Sequence, residues 1–173
     1  RQRQMCIRDR DNIGLIDALS NSKEVIPCFI YDSNLIKKLK DAKFRWNFLN
    51  ESLLDLDENF KKKGIRLQIV EGITEKSLEK IVKKHKIESL FSNTDFSNYS
   101  QKRDEKIYQM CKKNKITFHS SLDFLLHNPH DIKTNEDSPY TIYSFFYKKA
   151  KIFPTRNITK NTKKNYSNEI ISN

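Results

Sequence analysis

The amino-acid sequence predicts an α/β fold, a parallel β-sheet flanked by helices. Three observations lead to this prediction. Segments with strand character alternate with segments of helical period along residues 11–119. The strand segments are largely apolar, which is typical of strands covered on both faces. The longest helical segment carries one apolar stripe, in which Leu49, Leu53, Leu56 and Phe60 are spaced 4, 3 and 4 residues apart.

The first half of the chain begins with a helix over residues 13–19, which Asp11 or Asn12 can cap. The run VIPCFIY at residues 25–31 predicts the first buried strand, and a short helix follows at residues 34–40. A long helix over residues 42–63 ends in three lysines and Gly64, which suits the C′ position. The next strand is predicted at residues 66–70.

The second half continues the alternation. It contains a helix at residues 74–86 with Thr74 as its N-cap, a strand at residues 89–91, a helix at residues 99–113 and a strand at residues 116–119. In parallel α/β sheets, ligands bind outside the carboxyl ends of the strands. The loops at residues 31–34, 71–74 and 92–97 all follow strands, so we expect a ligand site at that rim.

Composition excludes several classes of protein. No apolar run approaches the roughly 18 residues of a membrane helix, and no signal-peptide pattern occurs, so a cytoplasmic location is the expectation. Three scattered cysteines form neither a disulfide framework nor a CxxC pair. With three glycines and no GxGxxG or GxxxxGK motif, the usual phosphate-binding loops are absent. His127 and His130 form an HxxH without a third ligand nearby, so we expect no metal site.

The formal net charge of +11 has two interpretations. An excess of this size attracts polyanions and would help to hold DNA. Alternatively, the lysines cover solvated helix faces in a chain that is rich in Lys, Asn and Ile throughout. We favour the second interpretation.

Both ends of the chain differ from its middle. Residues 1–10 contain four of the eight arginines, so we interpret this segment as foreign, with a natural basic arm as the alternative. Residues 11–150 form the predicted α/β domain. Residues 151–173 become polar and lose any apolar period, which predicts a linker or frayed tail leading to a further domain. The chain is therefore expected to be part of a longer protein.

Five segments, in order, resemble one family: the N-terminal α/β domain of the DNA photolyase/cryptochrome family, which has a Rossmann-like sheet. They are DNIGLIDAL, VIPCFIYD, AKFRWNFLNESLLDLDENFKKKGIRLQIVEG, SNTDFSNYSQKRDEKI and FLLHNPHDIKTNEDSPYTIYSFFYKKA. Each is weak alone, but the series spans residues 11–150. The chain departs from the family in three places: the first strand is missing or replaced by residues 1–10, and Asn98 and Phe145 stand where prolines are usual.

The resemblance implies a division of labour. In this family a helical domain holds FAD and repairs cyclobutane pyrimidine dimers by light-driven electron transfer, while the α/β domain holds an antenna chromophore where one is present. No catalytic residues are therefore expected in this chain. The longer protein would be a deoxyribodipyrimidine photolyase, a carbon–carbon lyase that contacts damaged DNA through the absent domain. We expect a monomer that does not associate with membranes.

The resemblance also nominates a chromophore site at the predicted rim. Its candidate residues are Asp32, Arg45, Asn93, Asp95, Phe96 and Tyr99. Asp32 and Asp95 would accept hydrogen bonds from the pigment or, alternatively, cap a helix or turn. Arg45 would stack on a planar ligand or form a structural ion pair, and Phe96 and Tyr99 would flank a ring or pack onto the sheet. Arg103 is expected to pair with a carboxylate that fixes its helix to the rim.

The residues at positions 99 and 100 bear on which pigment would bind. Family members that bind folate carry an Asn-Glu pair where Tyr99 and Ser100 stand here. A deazaflavin or flavin is therefore favoured over folate, and we expect weak binding, with no FAD site of the repair type in this chain. Two other functions stay open: a cryptochrome-type blue-light receptor, and a stand-alone nucleotide-binding module, against which the glycine-poor rim argues.

Overall fold

A computed structural model describes residues 11–123 and 125–171. Residues 1–10, which we interpreted as a foreign segment, lie outside these residues, as do Phe124 and the last two positions. The helices are α1 (Ile13–Asn21), α2 (Ser33–Lys40), α3 (Lys43–Lys61), α4 (Thr74–His85), α5 (Asn98–Lys113) and α6 (Tyr143–Ala150). The strands are β1 (Cys28–Asp32), β2 (Gln68–Gly72), β3 (Ser89–Asn93) and β4 (Thr117–Ser121).

All strand pairing among the named strands is parallel, which confirms the predicted α/β class. β1 pairs with β2 from Cys28↔Gln68 to Asp32↔Gly72, and β3 pairs with β4 from Ser89↔Thr117 to Asn93↔Ser121. Within the described residues these pairs form two separate two-stranded sheets, because no strand joins β1 to β3.

The helices bury the faces that their apolar periods predict. Leu53 and Phe60 of α3 lie in a core cluster with Ile65 and Leu67, next to β2. A second cluster joins α5 to the start of β4 and contains Val82, Ile107, Met110, Cys111 and Ile116. At the end of α3, Gly64 has a φ of +80°, the left-handed conformation that glycine adopts without strain.

The strand boundaries lie two or three residues beyond several predictions. β1 begins at Cys28 rather than at Val25, because Pro27 has no backbone N–H to add to the sheet. Val25 instead forms an isolated parallel bridge with Tyr166. The prediction that Thr74 is an N-cap is wrong: the N-cap position belongs to Ile73, and Thr74 is the first residue of α4.

The polar tail, residues 155–171, contacts the α/β unit at several points although it lacks apolar period. Asn165 donates from Nδ2 to the carbonyl oxygens of Leu19 and Ser22 at 3.1 and 2.8 Å, at the end of α1. Ile171 is buried against Val70 and Ile81. The assignment of this segment as a linker to another domain stays a prediction.

Among the described residues, no helix has both the length and the apolar character that crossing a membrane requires.

Candidate functional site

The rim at the carboxyl ends of β1 and β2 is organised by Asp32. Its Oδ1 accepts a hydrogen bond of 2.8 Å from the backbone N–H of Asn34, which caps α2. Its Oδ2 accepts a bond of 2.6 Å from the hydroxyl of Thr74, at the start of α4. The hydroxyl of Tyr99, on the first turn of α5, lies near enough to Asp32 to help lower its pKa. One buried carboxylate therefore bonds the beginnings of two helices and lies near the beginning of a third.

These contacts set the ionisation of the rim. Burial acts to raise the pKa of Asp32, but the hydrogen bonds from Thr74 and Asn34 and the nearby hydroxyl of Tyr99 outweigh it, so the pKa lies below its usual value. Burial and the proximity of Asp32 raise the pKa of the Tyr99 phenol. At neutral pH the rim thus holds a carboxylate and a neutral phenol.

Asp95 forms a separate turn on the same rim, before α5. Its Oδ1 accepts a hydrogen bond of 2.8 Å from the backbone N–H of Ser97. That bond is the main reason that the pKa of Asp95 is lowered. Ser97 in turn caps α5 through its hydroxyl, which accepts from the N–H of Ser100 at 3.3 Å. Asp95 thus caps a turn, and its role in ligand binding stays a prediction.

Asn93, the last residue of β3, is tied into the protein by its whole amide group. Its Oδ1 accepts from the backbone N–H of Gly14 at 2.9 Å, and its Nδ2 donates to Asn12 and Asp123 at 3.1 and 3.2 Å. A Cβ on Gly14 would lie 2.6 Å from this Oδ1, so the close approach of α1 to β3 requires glycine. These bonds give Asn93 a structural role.

The other three candidate residues, Tyr99, Phe96 and Arg45, do not all lie at the same place in the fold. Tyr99 lies near Asp32, and 36% of the residue is exposed to solvent. Phe96 is half-buried in the loop before α5. Arg45 is exposed on the first turn of α3, and within the described part of the chain no hydrogen bond or ion pair joins it to Asp32 or Asp95. The structure therefore brings together Asp32 and Tyr99, but does not place Arg45 with them.

Arg103 pairs differently from the expectation. Its Nε and one Nη donate to a single carboxylate oxygen of Asp104, at 2.8 and 2.7 Å. Asp104 is the next residue of α5, so this pair does not tie the helix to the rim. The prediction of a carboxylate partner is correct, but the predicted anchoring through that pair is wrong.

A buried ionic cluster that sequence reasoning missed lies beyond the ends of β3 and β4. Arg156 donates to both carboxylate oxygens of Asp11, at 2.8 and 3.1 Å, and to Asp123 at 3.1 Å. Burial raises the pKa of Asp123, and the proximity of Asp11 adds to that effect. The signal that could have revealed the cluster is the rarity of arginine: Arg156 is one of four in residues 11–173.

The fold defines this chain as a Rossmann-like α/β domain. A family model described as DNA photolyase matches residues 7–162, so the chain belongs to the DNA photolyase family. The resemblance inferred from the sequence is therefore confirmed.

Characterised relatives include both branches of this family. The chain is 28% identical to the deoxyribodipyrimidine photo-lyase of a Synechococcus strain, over 82% of this chain and 29% of the relative. It is 29% identical to the (6-4)DNA photolyase of Arabidopsis thaliana, over 83% of this chain and 28% of that protein. Cryptochrome-1 of Anopheles gambiae is 28% identical to this chain, over 81% of this chain and 27% of that protein. The chain thus spans less than a third of the length of these three relatives.

Two solved structures share the fold. The photolyase of the archaeon Sulfolobus tokodaii superposes with a TM-score of 0.77 and 31% identity. Its crystal structure contains two FAD molecules and is described as implying a novel light-harvesting cofactor. That match covers 91% of this chain and 35% of the archaeal protein. A class III photolyase from Agrobacterium tumefaciens superposes with a TM-score of 0.68 and 22% identity, over 80% of this chain and 28% of that one, which supports the fold alone.

Proposed function

We propose that this chain is the antenna-binding α/β domain of a DNA photolyase. The observation that carries the proposal is the match to the Sulfolobus tokodaii photolyase, whose crystal structure contains two FAD molecules and is described as implying a novel light-harvesting cofactor. The match covers 91% of this chain. Ligands of parallel α/β sheets bind at the rim formed by the strand ends.

Tyr99 is the residue that we expect to contact the pigment most directly. Its hydroxyl lies near Asp32, and the residue keeps 36% of its surface exposed. A partly exposed ring can stack against a planar heterocycle. Phe96, half-buried in the preceding loop, would extend the apolar contact.

Polar groups would complete the site. Asp32 and Asp95 each present a carboxylate with a lowered pKa, and such groups accept hydrogen bonds from a heterocyclic N–H or from ribityl hydroxyls. Asn93 would line the rim without bonding the pigment, because its amide group already forms hydrogen bonds within the protein. Arg45, exposed on α3, would stack on the ligand or pair with its phosphates.

The pigment that fits best is a flavin or deazaflavin. When bound, it absorbs light and passes the excitation energy to FAD in the helical domain of the longer protein. The residues of this chain would hold the ring system of the pigment rigidly, and none of them would act as a general acid or base. Binding should be weak, because Asp32 and Asp95 already accept hydrogen bonds within the protein.

The longer protein would then repair cyclobutane pyrimidine dimers in damaged DNA, with its FAD and catalytic residues outside this chain. We propose a cytoplasmic monomer. A cryptochrome-type receptor is the second candidate, favoured by the likeness to Cryptochrome-1 of Anopheles gambiae. Photoreactivation of ultraviolet-damaged DNA by the longer protein distinguishes the two, because a receptor without repair activity leaves the dimers in place. A stand-alone nucleotide-binding module is disfavoured by the glycine-poor rim.

To test the antenna proposal, the purified chain is titrated separately into FAD, FMN, a 5-deazaflavin and a methenylated folate. The fluorescence anisotropy of each pigment reports its binding. We expect flavin and deazaflavin Kd values on the order of 100 μM, and weaker folate binding. Tyr99→Ala should raise the flavin Kd by roughly fivefold, the loss of one ring contact. Tyr108→Ala is the matched control, because Tyr108 lies on the same helix and is 49% exposed.

Three results would argue against the proposal. Folate binding tighter than flavin binding would contradict the pigment class. If Tyr99→Ala and Tyr108→Ala changed the flavin Kd equally, the pigment would not bind at the rim. Tight, stoichiometric FAD binding that Tyr99→Ala leaves unchanged would contradict the expectation that the repair FAD site lies elsewhere.

A further inference from the structure

Most of the positive charge of the described chain lies on two neighbouring helices. Residues 74–86 and 98–115, which contain α4 and α5, hold ten lysines and one arginine against four acidic residues. Their formal net charge is +7, with histidine neutral, whereas the whole of residues 11–171 carries +8. The rest of the described chain is therefore nearly neutral. The sequence alone favoured lysines that only solvate helix faces, but solvation does not explain an excess on one pair of helices.

Exposed lysines form one row along each of these helices. The rows are Lys76, Lys80 and Lys83 on α4, and Lys102, Lys106 and Lys113 on α5. Members of a row are 3, 4 or 7 residues apart, so they share one side of a helix that has about 3.6 residues per turn. The buried Ile81 and Ile107 lie toward the opposite sides. Both rows therefore face solvent.

Contacts between the two helices place the rows side by side. Lys106 Nζ on α5 donates to Glu75 Oε1 on α4 at 3.3 Å. The pKa of Glu79, one turn further along α4, is lowered by its bond with Lys83 and also by the nearby Lys113. The two helices thus run in the same direction, and packed helices lie about 8–10 Å apart. We call the surface formed by the two lysine rows the α4–α5 face.

The chemistry of the α4–α5 face suits a polyanion better than a membrane surface. Lys76, Lys80 and Lys102 form no ion pair with any described residue, so their charges are not neutralised within the protein. Both helices are described in full, and their exposed large apolar side chains are those of Tyr99 and Tyr108. Helices that lie in a membrane surface insert a broad apolar face, whereas these two helices bury theirs in the protein.

We propose that the α4–α5 face binds duplex DNA through its phosphates, independently of base sequence and of damage. A duplex carries one negative charge per roughly 1.7 Å of its axis. Its phosphates line grooves about 6 and about 12 Å wide, close to the separation of the two lysine rows. The contact is separate from the contact with damaged DNA that is expected of the absent domain. It depends on lysines and not on the pigment rim, so it stands or falls apart from the antenna proposal.

The salt dependence of DNA binding tests the proposal on the full chain. An undamaged, fluorescein-labelled duplex of about 20 base pairs is titrated with the chain in roughly 50 to 200 mM NaCl, and anisotropy gives the Kd. We expect a Kd on the order of 10 μM at the lowest salt concentration, and a slope of about −3 for log K against log salt concentration. A slope shallower than about −2 would overturn the proposal, because the face would then neutralise about two phosphates or fewer.

Two triple variants locate the binding surface. The face variant combines Lys76→Gln, Lys80→Gln and Lys102→Gln. The control variant combines Lys37→Gln, Lys62→Gln and Lys160→Gln, at exposed positions on α2, after α3 and in the tail. Each variant loses three positive charges, so the effect of total charge is the same. The face variant should raise the Kd at least about tenfold and make the slope shallower by about 2 to 3, and the control should raise the Kd by less than about twofold.

Three outcomes would overturn the proposal. Equal changes in the face and control variants would mean that only the total charge matters. Tighter binding of the unchanged chain to vesicles containing phosphatidylserine than to the duplex would indicate a membrane partner instead. A clear preference of the chain for a duplex that contains a cyclobutane dimer would show that the contact depends on damage.

Discussion

The guanidinium of Arg156 and the carboxylate of Asp11 form a two-pronged ion pair, with Nη1–Oδ1 and Nη2–Oδ2 distances of 2.8 and 3.1 Å. The residues are 145 positions apart in the chain. Asp11 also accepts from the backbone N–H of Thr159 at 2.9 Å. The pair therefore attaches the tail to the segment that precedes α1.

Replacing Arg156 with Ala should lower the free energy of unfolding by about 2 kcal/mol. The side chains of Asp11 and Asp123 are 9% and 5% exposed, so the substitution leaves two buried carboxylates without their cation. The loss is smaller than for a fully buried ion pair, because the side chain of Arg156 is 35% exposed. Urea unfolding measures the change. Lys160→Ala, at an exposed position of the same tail, should change stability by less than about 0.5 kcal/mol.

Asp57 connects α3 to β2 and should make stability depend on pH. It accepts from Arg66 Nε and from the backbone N–H of Leu67, both at 3.0 Å. Burial acts to raise its pKa, but these bonds outweigh that effect and lower it. Because the folded-state pKa is lowered, the stabilisation is present above the unfolded value of about 4 and is lost as pH falls through the folded value.

Asp57→Asn should therefore destabilise the protein by about 2 kcal/mol at pH 7, and by progressively less below about pH 4. Urea unfolding midpoints across that pH range measure the difference from the unchanged chain. Glu58→Gln, an exposed neighbour on α3, is the control and should show little difference at either pH. A difference for Asp57→Asn that is constant with pH would show that ionisation of Asp57 does not contribute.

Local periodicity predicted nine of the ten helices and strands among the described residues, but not α6. The stripe of Leu49, Leu53, Leu56 and Phe60 depends only on residues within one helix, and α3 follows it closely. Strand ends were predicted less well, since they depend on pairing: β2 extends to Gly72 because that residue is opposite Asp32. The split of the sheet into two halves is likewise a property of neighbours and not of any one segment.

The site was predicted less completely for a physical reason. A carboxylate at the end of a strand can accept from a helix N-terminus or from a ligand, and Asp32 and Asp95 have the same chemistry in both roles. The structure shows that both carboxylates accept backbone hydrogen bonds. The cluster of Asp11, Asp123 and Arg156 could not be read from spacing, because its members become neighbours only through the tertiary fold.

Gly14→Ala tests the close contact between α1 and β3. Alanine is the better helix former by about 1 kcal/mol, but its Cβ would lie 2.6 Å from Asn93 Oδ1 and 3.3 Å from the backbone carbon of Ser92. Overpacking of this kind costs about 1–3 kcal/mol. We expect a net loss of about 1 kcal/mol in the free energy of unfolding. In a double-mutant cycle, Asn93→Ala should reduce the effect of Gly14→Ala, and strict additivity would contradict the proposed clash.

Tyr166 should be the main apolar anchor of the tail. Its ring meets Phe60 edge to face at a centroid distance of 5.7 Å, and the neighbouring backbone bonds Val25 through Asn165 O and Ser167 N at 3.0 and 2.9 Å. Tyr166→Ala removes a half-buried ring while leaving those backbone bonds, and should lower the free energy of unfolding by about 2 kcal/mol.

Ile158→Ala is the matched control for Tyr166→Ala, because Ile158 lies in the same tail and is 77% exposed. Its substitution should change stability by less than about 0.5 kcal/mol. Urea unfolding, with hydrogen exchange at Val25 and Ser167 as a local measure, tests both variants. Loss of protection at Ser167 in Tyr166→Ala but not in Ile158→Ala would locate the effect at the tail. Equal stability of the two variants would mean that the tail is held by Arg156 and Ile171 instead, since Phe60 would then gain nothing from its contact with the ring.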